Sequence, residues 1–112
     1  MRLIDQPISK EDLKRIARER FGDMVKAVVD LRQGIMALGS EMHADAEQML
    51  LERGAKQADL WGINIYPDQS ADQWIEFDSM INIRPSQGNR SRSVENEATQ
   101  KQIIEIVQRL IT

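Results

Sequence analysis

The sequence predicts an α+β domain: a four-stranded, mainly antiparallel sheet of two hairpins, with about three helices packed on one face. Three observations carry this expectation. The apolar spacing switches along the chain from helical to alternating and back, twice. Short turn-forming stretches join the alternating segments in pairs. Finally, 112 residues at 41% hydrophobic suffice for one core and for no second domain.

The first helix follows Ser9, a good N-cap, with Asp12 completing a variant capping box and Ile8 and Leu13 placed as a hydrophobic staple. Leu13, Ile16, Ala17 and Phe21 recur at helical spacing, and Gly22 ends the helix. From Val25 to Leu31 apolar residues alternate, and after the turn Arg32-Gln33-Gly34 the run Ile35 to Leu38 returns antiparallel. Val28, Met36 and Leu38 are expected opposite Val25 and Val29, so the second face of this hairpin is not cleanly polar and is either covered or forms an apolar groove.

Ser40 is the expected cap of a second helix from about Glu41 to Arg53, stopped by Gly54. A second hairpin then pairs the run from Trp61 to Tyr66 with the run from Ile75 to Arg84. There Ile63, Ile65, Phe77, Ile81 and Ile83 would face the core, while Asn64, Tyr66, Glu76, Asp78, Asn82 and Arg84 would face water. Pro85 closes that strand, because proline cannot donate to the ladder. A polar loop from Ser86 to Ser93 leads to a last helix, capped by Ser93 or Asn96. Its stripe is Ile103, Ile104, Val107, Leu110 and Ile111.

Composition narrows the function. Fifteen basic against eighteen acidic side chains give a net charge of −3, which argues against a general nucleic-acid binder. With no cysteine and one histidine, thiolate chemistry, iron–sulfur clusters and multi-histidine metal sites within one chain are excluded. No apolar run reaches the roughly 18–20 residues of a membrane span. The segment Met1 to Gln6 carries Asp5 and lacks the apolar core of a signal peptide, so a soluble cytoplasmic protein without cofactor or metal is expected.

Residues 21–30 (FGDMVKAVVD), 43–45 (HAD), 60–67 (LWGINIYP) and 81–92 (INIRPSQGNRSR) stand out. With them the chain resembles a family of small prokaryotic proteins catalogued as a domain of unknown function and common in cyanobacteria. The resemblance covers nearly the whole chain. It implies an association with control of biofilm formation, and it implies no catalytic residues.

Three groups of residues are candidates for a site. His43 and Glu47 stand four apart on a helix, as two metal ligands would, although acidic residues in a first helical turn are expected from the helix dipole alone. The polar side of the second hairpin brings Asn64, Tyr66, Glu76, Asp78, Asn82 and Arg84 together, beside Trp74. Its paired carboxylates suit acid–base chemistry, and its mixture of groups suits an interface. The loop after Pro85 holds Gly88, Asn89, Arg90 and Arg92; with Arg84 these make a local reversal of charge fit for a phosphate or a carboxylate. The same loop reads equally as a self-bonded turn whose arginines pair with Asp78 or Glu76. A non-catalytic binding or regulatory module, acting through protein contacts, is the function expected. Small-molecule or anion binding, an enzyme using the polar sheet face, and nucleic-acid binding through the Arg-rich loop are the alternatives.

Overall fold

A computed structural model describes residues 1–112. The sheet has five strands rather than four, all neighbours antiparallel, in the order β1-β3-β2-β4-β5. The strands are β1 (Arg2–Ile4), β2 (Val25–Asp30), β3 (Ile35–Leu38), β4 (Leu60–Ile65) and β5 (Ile75–Glu76). The helices are α1 (Lys10–Arg20), α2 (His43–Glu52) and α3 (Glu97–Leu110). The extra strand, β1, is three residues long and pairs with β3, Leu3 opposite Ala37. It is too short for an alternating pattern to stand out in the sequence.

The helices do not share one face. Val25, Ala27, Val29, Met36, Leu38, Ile63 and Ile65 point to one side of the sheet and pack with α1 and α3 through Leu13, Ile16, Ile103, Val107 and Leu110. Val28 and Ala37 point to the other side, where α2 covers them with Ala46 and Leu50. The apolar second face of the first hairpin is thus covered. Met36 and Leu38, expected with Val28, lie instead with Val25 and Val29, because Val29 pairs with Met36 and Ala27 with Leu38. Paired residues share a face.

The capping expectations divide. Ser9 Oγ accepts from the Asp12 amide at 3.0 Å, and Asn96 Oδ1 accepts from the Thr99 amide at 3.0 Å. Ser40 does not cap α2: its hydroxyl donates to the Met42 carbonyl at 2.6 Å, and Met42 occupies the N-cap with no side-chain bond. On α3 the buried stripe contains Ile103, Ile106, Val107 and Leu110, while Ile104 is only half-buried.

The long strand expected from Ile75 to Arg84 is two residues of β5 followed by 3-10 turns at Met80–Asn82 and Pro85–Gln87. Side chains replace its ladder along the edge of β4. The Gly62 amide donates to Asn82 Oδ1 at 2.8 Å, and Asn82 Nδ2 donates to the Gly62 carbonyl at 2.9 Å. Arg84 donates to the Leu60 carbonyl at 2.6 Å. Gly62 is needed for this approach, since a Cβ there would come within 2.5 Å of the Ser79 Cβ. As a result Ile81 packs under α2, on the side opposite Ile63, and Ile83 is exposed.

Candidate functional site

Three of the six polar residues expected on a wet sheet face, Asn64, Asn82 and Arg84, are buried ties. Asn82 is fully buried, holding Gly62 and donating also to the Arg92 carbonyl at 3.0 Å. The Arg84 guanidinium lies 4.2 Å from the centre of the Trp61 ring and donates to the carbonyls of Gln57 and Leu60. Burial draws its pKa below the ordinary guanidinium range, against the opposing influence of the Glu47 and Asp59 carboxylates. Asn89 Nδ2 donates to the Asn82 and Ser93 carbonyls, each at 2.7 Å, and its Oδ1 accepts from the Glu95 amide at 2.9 Å. Gly88, at φ 79°, ends the 3-10 turn in the left-handed region. Trp74 is buried in the α1/α3 core, where Lys10 Nζ approaches its ring at 4.9 Å. Its side chain is on the α1/α3 side of the sheet, although its carbonyl accepts from the Tyr66 amide at 2.8 Å.

The loop does form an anion cradle, and the chain fills it with its own carboxylate. The amides of Arg90 and Ser91 and the Ser91 hydroxyl all donate to Glu95 Oε2, each at 2.8 Å. These bonds, the hydroxyl's first, hold the Glu95 pKa below the ordinary carboxylate value. Arg92 Nε donates to Asp78 Oδ1 at 2.6 Å. Glu76 accepts from Asn64 Nδ2 at 2.8 Å and from the Tyr66 hydroxyl at 3.3 Å. Partial burial, then the charge of Glu76, raises the Tyr66 pKa. Each carboxylate of the expected pair therefore has its own donor.

His43 does not face Glu47 across a metal. Its Nε2 lies 2.8 Å from the Ile63 carbonyl, so that nitrogen carries the proton and donates. Burial lowers its pKa, and Lys26 lowers it further. The Ile63 bond and the Asp78 charge act in the opposite direction. No group of three or more metal-ligating side chains is assembled anywhere in the chain.

What the structure does assemble is an apolar surface at the start of α2. Five large apolar side chains of this protein are exposed, and four of them sit at this end. Met42 and Met80, 59% and 65% exposed, flank a pocket of about 140 Å³ together with Lys26, His43, Ile81 and Arg92. Lys26 Nζ stands 5.5 Å from the centre of the exposed Phe21 ring. Arg20 joins the end of α1 to Glu41 at 3.8 Å and to the Gly39 carbonyl at 3.3 Å. Met1 lines the adjoining groove with Glu41, Asp45 and Glu52. Of the residues expected to bind, Arg92 lines this pocket and Asp78 is paired with it. Phe21, Lys26, Met42 and Met80 were not among the expected binding residues. Phe21 and Met42 fall at helical spacing and read as core, whereas Met80 falls with Asp78 and Asn82 on the side expected to face water, a signal that was there to use.

A protein-family model described as "Protein of unknown function (DUF5674)" matches residues 2–110. No curated protein and no solved structure matches the chain. No helix is long and apolar enough to cross a membrane.

Proposed function

The chain belongs to the DUF5674 family, and we propose that it is a non-catalytic binding or regulatory module that acts through protein contacts. One observation carries this reading: Met42 and Met80, otherwise costly to leave in water, flank one pocket, and the exposed Phe21 ring stands against the Lys26 that lines it. Methionine is flexible and polarizable, so a surface built from it adapts to a partner's side chains. Charged groups at its margin, Lys26, Arg92 and Glu41, supply the polar rim of an interface. Anion capture by the Arg-rich loop finds less support, because Glu95 already fills the cradle and Arg92 is paired. The proposed setting is cytoplasmic. A part in biofilm control, implied by the resemblance to cyanobacterial proteins, belongs to the same proposal.

The test is photo-crosslinking in cells with a diazirine amino acid in place of Met80, and with the same residue at the exposed Glu105 on α3 as control. A defined adduct from position 80 and none from 105 is expected. No adduct, or the same adducts from both positions, would contradict the reading. In a strain lacking the gene, a Met80→Glu chain should fail to restore the biofilm phenotype that the unaltered chain restores.

A further inference from the structure

We infer that the occupant of the Met42–Met80 pocket is a partner segment that carries acidic side chains interleaved with apolar ones. This rests on the protein-contact reading above and adds the chemistry of the partner. The walls fix the apolar part: Met42, Met80 and Ile81 enclose about 140 Å³, room for one aliphatic side chain rather than a helix face. The charge fixes the rest. Lys26 forms no ion pair and stands between this pocket and the Phe21 ring.

Beside it, α2 begins at Met42 with no side-chain cap, so the His43 and Ala44 end of the helix offers backbone donors and the positive end of its dipole. A carboxylate that reaches Lys26 therefore meets a free cation and free amides together. Arg92 is already bound to Asp78 and marks the far rim.

The surroundings also exclude one direction of approach. On the outer side of α2, Glu41, Asp45 and Glu52 line the larger groove, of about 550 Å³, where Arg20 is paired with Glu41. An anionic segment is repelled there. Its path must run from the Phe21 ring over Lys26 toward Arg92, with an apolar side chain set down between the two methionines.

Three short synthetic peptides test this by amide chemical-shift mapping on the full chain: alternating Leu and Glu, alternating Leu and Lys, and alternating Ser and Glu. The Leu–Glu peptide should shift the amides of Lys26, Ala44 and Met80, and the other two should not. Its affinity should fall by about tenfold in Lys26→Glu. Met80→Glu, at an exposed position, repeats that test if Lys26→Glu fails to fold. Binding of the Leu–Lys peptide at those amides, or an unchanged Leu–Glu affinity in the folded variants, would overturn the inference. If the Leu–Glu peptide fails while the cross-link at position 80 persists, the acidic chemistry is wrong and the docking surface stands. If both fail, both are wrong.

Discussion

The two faces of the sheet are built differently. Under α1 and α3, nineteen buried apolar residues form one continuous cluster, from Ile4 through Ile63 to Ile111. Under α2 the apolar cluster has five, and the rest of that face is held by amide and ring hydrogen bonds from Asn82, Asn64 and His43. Burial of hydrocarbon contributes most of a domain's stability, whereas a polar network fixes where things lie. The first face is therefore the source of the fold's stability. The second is the framework that sets Met42 and Met80 beside Lys26.

The largest expected effect is on the first face. Ile63→Ala should lower unfolding stability by about 2–5 kcal/mol in chemical denaturation, as a cavity in a closed core does. A loss below about 1 kcal/mol would mean that the cluster under α1 and α3 is not the main core. On the second face, Asn82→Ala leaves the buried amide and carbonyl of Gly62 without their partners. The expected cost is about 1–3 kcal/mol. The amides of β4 and the 3-10 turn should also exchange faster with solvent. Unchanged exchange in that segment would show that the side-chain seal is not what holds it.

A smaller effect comes from His43. Its pKa is lowered by burial, so on acidification the folded ring takes up its proton later than the unfolded chain, which does so near the ordinary value of 6.5. The unfolded state then binds more protons, and stability falls as pH drops through 6.5 toward the lowered folded value. His43→Gln retains a donor for the Ile63 carbonyl and removes the titration. Denaturation at pH 7.5 and 5.5 should show a larger loss for the unaltered chain than for this variant, and equal losses would contradict the neutral, buried ring.

The same contrast explains what was legible in the sequence. Ser9, Asn96 and the alternation from Val25 through Leu38 are local signals, and the elements follow them. The pairing of helices with faces is not local: Val28, Ala37, Ala46 and Leu50 become a core only when α2 crosses the sheet. The run from Ile75 to Arg84 alternates like a strand, yet Asn82 and Arg84 turn their side chains to the β4 edge and take over its hydrogen bonds. Polar residues that looked solvated are buried for that reason. The Arg-rich loop had the donors of an anion site, but its ligand, Glu95, was three residues beyond Arg92 in the same chain.

The most direct test of the division between the faces is the double variant Met42→Gln with Met80→Gln, which adds no N-cap to α2, followed by thermal melting and by recovery of the partner identified through the cross-link at position 80. Both side chains are exposed, so the melt should match that of the unaltered chain to within about 0.5 kcal/mol of stability. Recovery of the partner should be lost. A destabilised variant would show that these methionines belong to the fold, and a stable variant that still recovers the partner would show that the surface is not where this protein acts.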